Sequence, residues 1–189
     1  MREIAALTFI TLDGVMQAVR LPEEDVSGGF AAGGWAADYW DPVMEQVQHE
    51  AMAGPYDMLL GRKTYELFSG HQDSSMNNGH VYVMSSGLTD PKWTNTTFLA
   101  GDVVSEVSKL KKQDGPLLQI HGSWQLIQTL LAADLIDEFR LWTFPVIVGA
   151  GKRLFDNDLG TRKLKLLKTA PTGNGAIMSI YRKPGQIAR

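Results

Sequence analysis

Cysteine is absent from the 189-residue chain. That removes disulfide scaffolds, thiol nucleophiles, thiolate zinc sites and iron–sulfur clusters together. Histidine is scarce, and His49, His71, His80 and His121 are spaced in no metal-binding pattern, so no metal is expected. Basic residues do not exceed acidic ones, 18 against 21, and the net charge of −3 offers no attraction to nucleic acid or an anionic membrane. No apolar run approaches the roughly 18–20 residues of a membrane span. The opening Met1-Arg2-Glu3 leads straight into a strand-like run without a signal-peptide pattern, so a cytoplasmic location is expected. Gly149-Ala150-Gly151-Lys152 is not a Walker loop, because Val146 stands where its first glycine is required and Arg153 where a hydroxyl residue is required. Ser85 and Ser86 lack the G-x-S-x-G elbow of a hydrolase nucleophile.

Hydrophobic residues make up 44% of the chain and charged residues 21%, an ordinary balance for a globular protein. A chain of this length buries roughly 70% of its unfolded surface and needs no covalent staple. Neither a repeat nor a composition shift divides it. The expectation is one domain over residues 1–183 and a loose polar tail over 184–189.

Apolar, β-favouring runs predict strands at 3–11, 56–60, 80–84, 96–99, 117–120, 137–148, 164–166 and 176–182. Four helices are predicted between them. Asp41 and Pro42 start the first, with Val43, Met44, Val47 and Ala51 on its apolar side, and Gly54-Pro55 stops it. The second covers 62–68. Asp102 caps the third, and Ser123 can cap the fourth, which carries Leu126, Ile127, Leu130 and Leu131. Helices alternate with strands until about residue 135 and strands follow. That order implies an α/β/α sandwich, a mostly parallel eight-stranded sheet with antiparallel C-terminal strands and four helices. Residues 20–40 form a long glycine-rich loop with Trp35, Tyr39 and Trp40; a lid over a pocket is the expectation. Trp142 and Phe144 are either exposed aromatics able to form an association patch or core residues.

Two strand-to-helix junctions carry glycine. At Gly61-Arg62-Lys63-Thr64 the backbone N–H groups of a helix start stand beside two cations and a hydroxyl, a donor set suited to phosphate. At His121-Gly122-Ser123-Trp124 a second helix start can face the same anion. Ser85-Ser86-Gly87 adds hydroxyls and turn amides at a third strand end. Each pattern alone is equally served by a plain turn: solvated basic residues at the first, a simple Ser123 cap at the second.

Together, TLDGVMQ at 11–17, SGGFAAGGW at 27–35, LGRKTYELF at 60–68, SSG at 85–87 and IHGSWQLIQTLLAADLIDEFRLWTFPVIVGAGKRLF at 120–155 resemble the dihydrofolate-reductase-like superfamily. They resemble most the branch related to the C-terminal reductase domain of bacterial riboflavin biosynthesis. The resemblance implies an NADPH-dependent reductase that passes a hydride to a small pterin- or pyrimidine-like ring, and it implies a homodimer. By the same resemblance Gly61, Arg62, Lys63 and Thr64 hold the cofactor phosphates, with Ser85 and Ser86 near the 2′-phosphate. Gly122, Ser123 and Trp124 approach the diphosphate, and Asp13, Gly14 and Val15 lie beside the nicotinamide. The acceptor ring must also gain a proton, for which Asp13 and Glu45 are the candidates. Counting back from Gly61 puts the family's helix carboxylate at Glu45, or at Met44 if the connection is one residue longer. The sequence has no zinc motif of the kind a fused deaminase needs. The alternative is a protein that binds a nucleotide or pterin without catalysis.

Overall fold

The protein is described from a computed structural model covering residues 1–70, 79–155 and 159–185. His71 and the tail from residue 186 lie outside the described residues. The strands are β1 (Ile4–Thr11), β2 (Tyr56–Gly61), β3 (Val81–Met84), β4 (Thr96–Leu99), β5 (Leu117–His121), β6 (Glu138–Phe144), β7 (Lys165–Pro171) and β8 (Ile177–Arg182). The helices are α1 (Pro42–Ala51), α2 (Arg62–Gly70), α3 (Val103–Lys112) and α4 (Trp124–Ala132). The sheet runs β4-β3-β2-β5-β1-β6-β8-β7, with β1 to β5 pairing in parallel and β7 antiparallel to β8. The expected α/β architecture is therefore present. The chain forms two compact units, Met1–Leu7 with Pro55–Glu138, and Thr8–Gly54 with Phe139–Arg189.

In the first unit α2 makes the crossover from β2 to β3 and α3 the one from β4 to β5, whereas β3 reaches its parallel partner β4 through a helix-free connection. The strands are near-continuous apolar runs because both faces are covered: Met58, Leu59 and Leu60 are all buried. Met58, Leu60, Tyr65, Val81 and Val83 form one core cluster. The Tyr65 hydroxyl, which cannot be buried unpaired without cost, accepts the Lys92 N–H at 2.9 Å. Asp102 caps α3 through the Ser105 N–H at 2.8 Å, and Lys109, Lys111 and Lys112 sit at the opposite end, where cations suit the helix dipole. Arg2 and Asp57 form a buried ion pair at 2.5 Å, and Asp57 also accepts the His80 N–H at 2.9 Å.

The second unit departs from expectation in the ends of β6 and β7, on α1 and over residues 20–40, and it decides between the two readings of Trp142 and Phe144. β6 ends at Phe144 instead of reaching residue 148, because Pro145 has no N–H for a ladder. Trp142 and Phe144 are core residues, each 0% exposed, so they cannot form an association patch. Phe139 and Leu141 are buried too; alternation cannot separate inside from outside on a strand covered on both faces. β7 is longer than its lysine–leucine stretch, pairing from Lys165 to Pro171 with an irregularity between Leu166 and Lys168. On α1 Met44 and Val47 pack into the core, while Val43 is 45% exposed. The start of α1 is as expected, with Asp41 accepting the Met44 N–H at 2.7 Å.

Residues 20–40, expected as a lid, are anchored in the core at Phe30, Trp35 and Ala36 while Leu21, Val26 and Trp40 stay exposed. Short 3-10 turns at Ser27–Gly29 and Ala37–Tyr39 flank Phe30, Trp35 and Ala36, which join Val15, Trp142 and Phe144 in the core. Gln17 ties the segment down, its amide donating to the Asp25 and Ser27 carbonyls at 2.9 Å, and the Trp35 indole donates to the Gln17 carbonyl at 2.8 Å. Lys152 Nζ adds Asp25 at 2.5 Å and the Ser27 hydroxyl at 2.7 Å. The lysine of the rejected Walker-like run is thus a fastener. Gly151 beside it has φ +117°, and a Cβ there would lie 2.8 Å from both Phe30 and Val15. Its close approach is to core side chains, not to a ligand.

Candidate cofactor site and candidate acid residues

β2, β3, β4 and β5 run in parallel, so their C-terminal ends lie at one edge of the first unit, where open α/β sheets bind ligands. β2 ends at Gly61 and α2 begins at Arg62; β5 ends at His121 and α4 begins at Trp124. Between these last two, Gly122 and Ser123 both adopt φ +53°. Ser123 does not cap α4. Side-chain capping needs an extended backbone at the cap residue, and the left-handed conformation turns the hydroxyl elsewhere. Ser123 Oγ accepts the Gly61 N–H at 3.0 Å and donates to Thr64 Oγ1 at 2.9 Å. The two glycine junctions that the sequence presents 62 residues apart are joined by one side chain.

Beside them is a pocket of about 450 Å³ lined by Arg62, Ser85 and Ser86, with Met84, Leu99 and Val103 as its apolar wall and Gly87 and Gly101 completing it. Ser85 Oγ accepts the Gly87 and Leu88 N–H groups at 3.3 and 3.2 Å, which fixes the turn and leaves its O–H as a donor. Arg62 and Lys63 are exposed at the first turn of α2, and neither pairs with a carboxylate among the described residues. Lys63 is not part of the pocket lining. Sequence reasoning missed the apolar wall. The parallel order of β2, β3 and β4 was the available signal, since it brings Leu99 and Val103 to the edge that holds Arg62.

Asp13, Gly14, Val15 and Glu45 belong to the second unit. The turn after β1 is closed by the Thr11 N–H donating to the Val15 carbonyl and the Val15 N–H donating to Thr11 Oγ1, both at 2.9 Å, with Gly14 at φ +84°. Val15 is buried and bridges to Arg153. Asp13 accepts the Thr11 hydroxyl at 2.6 Å and the Gly149 and Val148 N–H groups at 2.9 and 3.3 Å. The Thr11 hydroxyl, aided by those amides and opposed by burial, holds the Asp13 carboxyl below its ordinary value. Glu45 is exposed in the first turn of α1 and accepts the Trp40 indole N–H at 3.2 Å, whereas Met44 is wholly buried. No group of metal-binding side chains occurs among the described residues. None of their helices is long and apolar enough to cross a membrane.

This strand order and the glycine-bearing helix starts define the dihydrofolate-reductase-like fold. The chain superposes on the crystal structure of "Putative riboflavin biosynthesis protein" from Shewanella sp. PV-4 with a TM-score of 0.73, at 18% identity over 96% of this chain and 98% of that one. It superposes on dihydrofolate reductase from Enterococcus faecalis, complexed with NADP(H), with a TM-score of 0.63, at 15% identity over 96% of each chain. The chain belongs to the RibD C-terminal domain family, whose model matches residues 2–178. Among curated proteins of Bacillus subtilis (strain 168), "Uncharacterized protein YyaP" is 35% identical over 136 residues, 66% of this chain and 72% of the relative. "Uncharacterized protein YwjB" is 27% identical over 131 residues, with the same coverage.

Proposed function

We propose that the chain is an NADPH-dependent reductase acting on a small pterin- or pyrimidine-like heteroaromatic. The observation that carries this reading is the pocket in which Arg62, Ser85 and Ser86 meet an apolar wall. A guanidinium and two hydroxyls suit a phosphate monoester, and Met84, Leu99 and Val103 suit a purine face, so the residues fit an adenosine 2′-phosphate. The Enterococcus faecalis reductase of the same fold is complexed with NADP(H), which supports the choice of cofactor. In this reading the Gly61–Thr64 and Gly122–Trp124 junctions frame the diphosphate, and the family resemblance assigns the Gly14-Val15 turn to the nicotinamide. Bound there, the cofactor supplies the hydride. The chain contributes a fixed donor set that orients its ligand and a route for the proton.

A proton source is needed as well. Asp13 accepts from the Thr11 hydroxyl, the Val148 and Gly149 N–H groups and the Arg153 guanidinium, a donor set that favours its anion and fastens the 148–149 backbone. Glu45, whose carboxylate accepts the Trp40 indole N–H, is the candidate this reading takes for the acid, acting directly or through a water. The same observation favours a second reading, a nucleotide-binding protein without catalysis, in which neither carboxylate moves a proton.

NADPH oxidation measured against dihydrofolate, flavins and ribosylamino-pyrimidines separates the two. Turnover that survives Asp13→Asn and falls in Glu45→Gln supports the enzyme with Glu45 as acid. Tight NADPH binding with no turnover of any acceptor supports the binding protein. Homodimerisation and a cytoplasmic setting belong to the proposal. Neither nucleic acid nor membrane is a partner in it, in keeping with the net charge of −3.

A further inference from the structure

Ser123 is a non-glycine residue at φ +53°, a conformation that costs an L-residue about 1–2 kcal/mol and so calls for a reason. Its neighbour Gly122 adopts the same φ without that cost. The hydroxyl of Ser123 makes no bond to its own helix and two bonds to the other junction. Resting on the reading above that these junctions face a dinucleotide diphosphate, we propose that Ser123 is a positioning residue that acts through Thr64. Its Oγ takes up the Gly61 N–H and gives its own proton to Thr64 Oγ1, so that the Thr64 hydroxyl proton is the one presented to the diphosphate.

The direction follows from the bonds the structure holds. Ser123 Oγ accepts the Gly61 N–H at 3.0 Å and donates its own proton to Thr64 Oγ1 at 2.9 Å. Thr64 has then filled an acceptor position and retains one O–H, which meets no acceptor among the described residues. Each bond in such a chain polarises the next, which makes the terminal hydroxyl a better donor to an anion. A consequence separates this from simple diphosphate contact: the Gly61 N–H is already spent, so Gly61 serves the site through Ser123 and not by touching the ligand. The bond also ties the end of β2 to the start of α4.

The test is calorimetric binding of NADPH and of adenosine 2′-monophosphate, which lacks the diphosphate. The variants are Ser123→Gly, Ser123→Ala, Thr64→Val, Thr64→Ser and the double variant Ser123→Gly/Thr64→Val. Ser123→Ala removes only the hydroxyl and keeps the Cβ at φ +53°, whereas Ser123→Gly removes the Cβ as well and relieves that backbone conformation, so the two together separate the hydroxyl from the backbone; the melting temperature of each is recorded. Loss of a hydrogen bond to a charged group predicts about tenfold weaker NADPH binding for Ser123→Gly and for Thr64→Val. Thr64→Ser retains affinity. The double variant is weaker than the worse single by no more than about twofold, because the two side chains act as one unit. Adenosine 2′-monophosphate binds all of them as it binds the unaltered protein. Unchanged NADPH affinity in Ser123→Gly, multiplying losses in the double variant, or an equal loss of adenosine 2′-monophosphate binding overturns the proposal. If the unaltered protein binds neither ligand, the NADPH reading itself fails and the proposal falls with it.

Discussion

Gly151 is a residue whose replacement has a calculable steric consequence. Its φ of +117° excludes L-residues, and an added Cβ would press on Phe30 and Val15 at 2.8 Å. Gly151→Ala should therefore lower unfolding stability by about 2–4 kcal/mol, the sum of backbone strain and overpacking. Urea denaturation reads this as a lower midpoint at unchanged slope; a loss below about 0.5 kcal/mol, the range of neutral surface changes, contradicts it. Asp13 and Asp25 carry the pH dependence. Thr11 holds Asp13 down, while for Asp25 burial pushes upward and is outweighed by Lys152 and Ser27. Both folded values lie below the ordinary 3.8. For a depressed carboxyl the stabilisation is complete above the unfolded value and is lost as pH falls through the folded one. Melting temperature should thus fall below about pH 4, and less steeply in Asp13→Asn, which has no proton to take up. An equally steep acid limb in that variant is the contrary result.

Among elements, the segment over residues 20–40 is where composition misled most. Its glycines and length read as a lid over a pocket, yet Phe30 and Trp35 are core residues, Gln17 ties its backbone down and Lys152 holds the Asp25 and Ser27 side chains. The Lys152 tie to Asp25 joins residues 127 apart, so no local pattern reveals it. Lys152→Met removes the bonds to Asp25 and Ser27 and should raise the rate of proteolytic cleavage within residues 20–30 several-fold, read by mass spectrometry of limited digests. Unchanged cleavage means Gln17 and the aromatics hold the segment alone. The helices were legible because their signals are local: Asp41-Pro42 and Asp102 cap as their side chains dictate. Ser123 was misread for a related reason. Capping depends on backbone conformation, and its φ of +53° is set by a partner strand and helix that the local sequence does not show. Arg62, Ser85 and Ser86 were legible as separate strand-end patterns. Their convergence in one pocket depends on strand order, as does the apolar wall.

For the whole molecule, β1 supplies Ile4–Leu7 to one compact unit and Thr8–Thr11 to the other. If the chain is a single folding domain, melting this strand disrupts both, and calorimetry should show one transition whose calorimetric and van't Hoff enthalpies agree. Two resolved transitions contradict a single domain. Trp142 and Phe144 are unavailable for association, so a homodimer needs other apolar side chains, of which Leu166, Leu167 and Ile177 on the C-terminal hairpin are exposed. Light scattering at micromolar concentration reads the outcome, a dimer mass supporting pairing and a monomer mass removing it. The central claim is that the Arg62–Ser85–Ser86 pocket selects a 2′-phosphate. Calorimetric titration of the protein with NADPH and with NADH, repeated on Arg62→Ala, tests it most directly. Charge-assisted bonds worth about 1.5–3 kcal/mol should make NADPH bind at least about tenfold more tightly than NADH, with Arg62→Ala closing most of that gap. Equal affinity for the two dinucleotides, or binding of neither, contradicts the claim.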